Sequence, residues 1–263
     1  MPYRVDIACP PPEALDVLVQ LGALDVESSS DGLAALLPDT VTEDTVSRVF
    51  GAASVTVSPA VARDHDSVWL LSPRAVRIGS VLIVAPETAA PSDALRLRDS
   101  NVFGTGHHPT TAMCIEALEE ILAVERMASV IDVGTGTGIL ALAALRMGVP
   151  QAVGLDTDDD ALRVAAENSR LNNLADRLLL IHGGPDVISG VWPLVVANIL
   201  AAPLIEMAPL IVRRVGHRGR LILSGIPCSV ESEVRKAYEH LGMRNIDRKE
   251  RAGWVMLVAQ ASW

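Results

Sequence analysis

The stretch Val130-Ile131-Asp132-Val133-Gly134-Thr135-Gly136-Thr137-Gly138 decides how the rest of the chain is read. A short apolar run of strand character ends in three glycines spaced two apart, and a helical run, residues 138–147, follows. Glycine lets the backbone turn tightly and approach a ligand closely, and a helix start offers N–H groups that the helix itself leaves unpaired. A dinucleotide fingerprint needs its third glycine three positions after the second, and Ile139 stands there instead. An ordinary tight turn of an α/β protein is the plainest alternative.

Outward from this turn, strands and helices alternate. The strands fall at residues 130–133, 152–155, 178–181, 194–197 and 221–224, and the helices at 138–147, 159–171, 203–212 and 230–241. Such alternation predicts right-handed crossovers and a parallel sheet covered on both faces. The final strand, 254–259, follows a short strand at 244–246 closely enough to be its antiparallel partner. A mostly parallel sheet with one antiparallel strand at its C-terminal end is similar to that of S-adenosylmethionine methyltransferases. The turn resembles their motif one, with the third glycine at 138 and Asp132 just ahead of the first.

The second strand ends at Asp156, where an ionised carboxylate can accept two hydrogen bonds from ribose hydroxyls. Asp158 suits the cap of the next helix. After the third strand comes His182-Gly183-Gly184-Pro185-Asp186, where Asp186 either meets a nucleobase or only closes a turn.

Residues 1–60 read as a small α+β unit. An extended start at 3–7 leads through Pro10-Pro11-Pro12 into a helix at 13–21 that Gly22 closes. Strands at 33–37 and 54–57 flank a helix at 43–50. Recognition, a lid and dimerisation all remain open for this unit. Residues 61–95 read as a linker with one β-like run at 80–84, and residues 96–263 as the larger domain.

Composition narrows the classes. The 263 residues are 49% hydrophobic, which is enough for an α/β domain with a smaller companion. Apolar runs stay well below the roughly 20 residues of a membrane span, and the N-terminus lacks the pattern of a secretory signal. Cys9, Cys114 and Cys228 are far apart, so a reduced, metal-free, cytoplasmic protein is expected. A net charge of −10 disfavours direct nucleic-acid binding and suits a basic protein partner.

Two further segments carry more specific information. They are Asn101-Val102-Phe103-Gly104-Thr105-Gly106-His107-His108-Pro109-Thr110-Thr111, just before the larger domain's core, and Val195-Val196-Ala197-Asn198-Ile199-Leu200-Ala201, at the end of the fourth strand. With motif one they resemble the ribosomal protein L11 methyltransferases, the PrmA family. The likeness covers roughly residues 100–260, and the N-terminal unit matches by size and order. Trp69 is the linker's single aromatic, and no aromatic follows Ala85-Pro86, which departs from the family's pattern.

The resemblance implies a class I methyltransferase, a doubly wound seven-stranded sheet with a smaller N-terminal α+β domain that recognises a ribosomal protein. It implies methyl transfer from S-adenosylmethionine to lysine side chains and the N-terminal α-amine, with another protein, a peptide or a small amine as alternative acceptors. By the same likeness Asp132, Gly134, Thr135, Gly136, Gly138 and Asp156 would hold the cofactor with Phe103, Gly104, Thr105 and Asn198. Asn198, His108 and Thr105 would stand at the reacting amine.

Methyl transfer from a sulfonium is an in-line displacement, so the protein mainly aligns donor and acceptor. The acceptor must expose a lone pair, which for a lysine of pKa about 10.4 costs roughly 4 to 5 kcal/mol at pH 7 and far less for an α-amine. Desolvation lowers an amine pKa, so a strong base is not required. The Asn198 carbonyl can orient the nitrogen, or the side chain can satisfy its own turn. His108 either takes the proton or, like His107, hydrogen-bonds the loop backbone. Thr105 and Thr110 either contact ligand or cap the helix that starts near Thr110.

Overall fold

A computed structural model describes residues 1–29, 32–60, 71, 74–100 and 102–263, and the chain divides into two compact units, 1–73 and 74–263. Trp69 and Asn101 lie outside the described residues.

The first unit runs β1 (Tyr3–Ala8), α1 (Ala14–Gln20), β2 (Asp25–Ser29), β3 (Gly32–Leu37), α2 (Glu43–Phe50) and β4 (Val55–Pro59). Its sheet has the order β2-β3-β1-β4 with every pair antiparallel, the ferredoxin-like βαββαβ arrangement. Alternate residues Val5, Ile7, Ala35 and Leu37 meet Leu18 of α1 and Val46 of α2 in a core of their own. Thr42 caps α2 by accepting the Thr45 N–H, with Glu43 and Asp44 in the first turn. β2 is the strand that the sequence pattern does not announce. Asp25-Val26-Glu27 has little apolar content, and its strand character comes from pairing with β3, Val26 opposite Ala35.

The second unit begins with β5 (Val76–Ile78), β6 (Val81–Val84) and β7 (Leu95–Arg96), a three-stranded sheet. Residues 74–95 are therefore not linker. Ile78, Val81, Ile83 and Leu95 are buried in the same core as the helices α3 (Pro109–Val124) and α4 (Ile139–Arg146). β6 is the β-like run expected at 80–84, whereas strands of two or three residues such as β7 and β5 are too short to register in sequence.

The large sheet comprises β8 (Ser129–Val133), β9 (Gln151–Asp156), β10 (Leu178–His182), β11 (Trp192–Asn198), β12 (Val215–Pro227), β13 (Met243–Arg251) and β14 (Trp254–Ala261). Its order is β10-β9-β8-β11-β12-β14-β13, parallel from β10 to β12, with β14 antiparallel to both its neighbours. This is the doubly wound seven-stranded class I methyltransferase sheet. Strand periodicity explains its two covered faces. Val130, Leu194, Val196, Ile222 and Met256 meet α3 and α4 on one side. Ile131, Val133, Val195, Ala197, Leu221 and Leu223 form the other core, with α6 (Ala201–Glu206), α7 (Ala208–Val212) and α8 (Glu231–His240).

The helix expected over 203–212 is two short ones, because Pro209 has no N–H with which to continue the ladder across Met207. α5 (Asp159–Leu171) connects β9 to β10. No helix of the described residues is long and apolar enough to cross a membrane. From β8 the chain winds to β9 and β10, then returns to β11 on the opposite side of β8. Such a reversal leaves a crevice at the carboxyl ends of the two central strands, where open α/β sheets bind ligands.

Candidate active site

The glycine turn leaves the end of β8 at the mouth of this crevice, and Asn198 ends β11 beside it, one residue past the Ala197–Val133 pair. Gly134, Gly136 and Gly138 all have positive φ, and two show what the conformation serves. A Cβ on Gly136 would stand 2.5 Å from the Phe103 carbonyl oxygen, and one on Gly138 would stand 3.1 Å from Ala165 Cβ of α5. Only glycine permits both approaches.

The turn does not offer the unpaired N–H groups expected from its sequence. Gly134 and Thr135 both donate to the Leu155 carbonyl at 2.8 Å, Gly136 donates to Asp156 Oδ2 at 2.8 Å, Thr137 to the Phe103 carbonyl at 3.0 Å and Gly138 to the Thr135 carbonyl at 2.8 Å. Its donors are spent on the protein itself. A pyrophosphate needs such donors free, so the arrangement disfavours the dinucleotide reading.

Two carboxylates brace the turn. Asp156 receives Gly136 N on Oδ2 and Asp158 N on Oδ1, which leaves further lone pairs on both oxygens. Asp132 is buried, and its Oδ2 accepts Thr135 Oγ1 at 2.8 Å and Ala141 N at 3.3 Å. Its Oδ1 has no hydrogen-bond partner among the described residues. Burial pushes the Asp132 carboxyl up to about 7, against the two hydrogen bonds and helped by the negative charge of Asp156.

The segment around Phe103 docks onto the turn. Besides the Phe103 carbonyl, the Gly104 carbonyl accepts Thr137 Oγ1 at 2.6 Å. Thr105 Oγ1 lies 3.2 Å from His107 Nδ1 within the same loop. His108 is the N-cap of α3, with Nδ1 accepting Thr110 N at 3.3 Å and lying 2.6 Å from Thr110 Oγ1. Its ring is 3% exposed and sits edge-on between Phe103, 5.4 Å away, and Trp254, 5.1 Å away.

Asn198 is 7% exposed. Its Nδ2 donates to Thr111 Oγ1 at 3.5 Å, and its Oδ1 has no partner among the described residues. A buried amide oxygen without a partner is costly, so it marks a place where a donor is wanted. Asp158 caps α5 through the Asp160 N–H. Asp186 is exposed in the turn after β10.

Four residues that sequence reasoning passed over belong to the same constellation: Thr111, Thr137, Asn168 and Trp254. Asn168 of α5 bonds the Thr137 carbonyl, and Trp254 starts β14 against the His108 ring. Thr111 and Thr137 lie inside the quoted motifs. Trp254 and Asn168 carry no local signal, since each meets the site only through folding.

Comparison with known proteins converges on one family. A family profile described as "Ribosomal protein L11 methyltransferase (PrmA)" matches residues 29–262. A ribosomal protein L11 methyltransferase of Pelobacter propionicus is 34% identical over 210 residues, covering 77% of this chain and 68% of that protein. One from Myxococcus xanthus is 34% identical over 223 residues, covering 82% and 76%. The crystal structure of a ribosomal protein L11 methylase from Lactobacillus delbrueckii subsp. bulgaricus superposes with a TM-score of 0.65 at 27% identity, over 72% of this chain and 99% of that one. A phosphate-averse glycine turn beside a strand-end asparagine, within a sheet of this order, agrees with these matches, and the chain belongs to the ribosomal protein L11 methyltransferase family.

Proposed function

We propose that this chain transfers methyl groups from S-adenosylmethionine to amines of ribosomal protein L11, at lysine side chains and the N-terminal α-amine. The observation that carries the reading is the unpartnered, buried Oδ1 of Asn198 at the switch point of the sheet. An amine nitrogen supplies the donor that this oxygen lacks.

The residues present suit the methyl donor. Asp156 retains lone pairs for a ribose diol. Asp132 Oδ1 is a buried acceptor beside the turn, which suits a cationic amino acid end, and the spent N–H groups of the turn suit a ligand without phosphates. Phe103 and Gly104 would cover the turn from outside. When bound, S-adenosylmethionine supplies a methyl group already activated by its positive sulfur.

The chain's own work is alignment and desolvation. Phe103, His108 and Trp254 make an aromatic cluster that lowers the local polarity and hence favours the neutral amine. His108 serves best as a fixed part of this wall, because its Nδ1 is engaged at the start of α3. Thr105 steadies the loop through His107.

The charge distribution supports a basic protein partner. Residues 1–73 contain 11 Asp and Glu against 3 Arg and no Lys. Such a surface attracts cationic proteins, and ribosomal proteins are basic because they contact RNA phosphates. Leu15 and Val19, one turn apart on α1, add an exposed apolar strip, 51% and 62% accessible. A ribosomal target implies work in the cytoplasm.

The test is incubation of the chain with methyl-labelled S-adenosylmethionine and purified ribosomal protein L11. Label is expected on L11 amines. Label appearing only on another protein, a peptide or a small amine would remove L11 as the substrate.

A further inference from the structure

α5 carries Asn168 and closes at its C-cap Asn172, one turn further on, and the two are buried at 0% and 3% exposure. Asn168 is a poor choice for a helix interior, since its amide competes with the backbone. Their amides face the end of β7 and the residues just after it. Asn172 Oδ1 accepts Arg96 N at 2.9 Å and its Nδ2 donates to the Arg96 carbonyl at 2.7 Å, while Asn168 Oδ1 accepts Arg98 N at 2.9 Å. One helical turn, about 5.4 Å, roughly matches the two-residue repeat of a strand, about 6.6 Å, so the two amides stand in for a missing neighbouring strand.

Asn168 does something that Asn172 does not. Its Nδ2 donates to the Thr137 carbonyl at 2.9 Å, inside the glycine turn. The remaining bonds of Asn172 go to the Asn168 carbonyl and to Arg146. Thr137 in turn grips Phe103 through its N–H and Gly104 through its hydroxyl. Asn168 thus links Arg98 to Thr137, and Thr137 links on to Phe103. Ala165, one turn before Asn168 on the same face, is the residue against which Gly138 packs.

We infer that Asn168 is a positioning residue for methyl transfer: by joining the Arg98 backbone to the Thr137 carbonyl, it sets the glycine turn and the Phe103 loop in one register. The inference rests on the proposal that this turn holds the methyl donor. A planar group that both donates and accepts is required, which an ionised aspartate or an alanine cannot supply.

Isothermal titration of S-adenosylhomocysteine into the wild type, Asn168→Asp, Asn168→Ala and Asn172→Ala tests it. Both Asn168 variants are expected to weaken binding at least about tenfold, as loss of a buried hydrogen bond predicts, with a raised KM for the donor. Asn172→Ala is expected to lower Tm while leaving the Kd within about twofold of wild type. Asn168 variants that bind like wild type, or an Asn172→Ala loss as large as theirs, would overturn the inference. A wild type that binds no S-adenosylhomocysteine would instead sink the functional reading. If the Asn168 variants do not fold, hydrogen exchange on the wild type decides. S-adenosylhomocysteine should slow exchange at the Thr137 and Arg98 amides more than at Arg96, and unchanged exchange at Arg98 contradicts the role.

Discussion

Asp132 links pH to stability and, in the proposed site, to ligand binding. Its carboxyl titrates near 7 in the folded chain because burial disfavours the charge, whereas an unfolded aspartate titrates at 3.8. Between those values the unfolded state has lost its proton and the folded state has kept it, so this group's contribution to stability falls as pH rises and levels off above about 7. Asp132→Asn removes the slope, and its stability relative to wild type should therefore climb from pH 4 to pH 7 in urea titrations. A cationic amino acid end beside Oδ1 favours the ionised form, so S-adenosylhomocysteine binding at pH 6 should release a proton in the wild type and none in Asp132→Asn. Calorimetry in buffers of different ionisation enthalpy reads this. A wild-type proton count of zero would contradict a cation at Asp132. At this scale the sequence exposed Asp132, Asp156 and Asn198 because strand ends and a glycine bend mark them locally. It concealed Asn168 and Trp254, whose roles arise from contacts 31 and 146 positions away in the chain, at Thr137 and His108.

At the scale of elements, α3 begins at the site, so its cap and the aromatic wall share one side chain. His108→Ala removes the cap acceptor and should cost about 1 kcal/mol of stability, and His108→Asn, with an amide oxygen for the Thr110 N–H, should restore most of it. If the imidazole is wall and cap alone, the pH dependence of kcat in His108→Asn follows wild type. Loss of a wild-type limb near neutrality would make His108 the proton acceptor. The strands from β8 to β12 and the helices between them could be read ahead of the structure because short apolar runs alternate there with longer helical stretches, although residues 203–212 fold as two helices. Two elements ran further than the sequence suggested. β12 extends over Val215–Pro227, where His217, Arg218 and Arg220 interrupt its apolar pattern. β13 extends over Met243–Arg251 as a charged edge strand, tied to α8 by Arg248–Glu231 and to α3 by Arg251–Glu116. In the sheet of β5, β6 and β7 only β6 was legible, as the β-like run at 80–84, since β5 and β7 have three and two residues and their burial depends on α3 and α4.

Across the whole molecule, charge and chemistry are divided between two units with separate cores. The strongly acidic first unit predicts that kcat/KM for ribosomal protein L11 falls several-fold as salt rises from about 50 to about 300 mM, while S-adenosylhomocysteine affinity changes little. Equal salt sensitivity of both would remove the first unit's charge from substrate capture. The proposed chemistry of the second unit rests on one strand-end amide, that of Asn198. Methyl transfer to L11 by Asn198→Ala, measured beside its affinity for S-adenosylhomocysteine, therefore bears most directly on the reaction. The expected result is a kcat about a hundredfold below wild type with the ligand Kd within about threefold, as for loss of an aligning hydrogen bond. Transfer at the wild-type rate by Asn198→Ala would contradict the account.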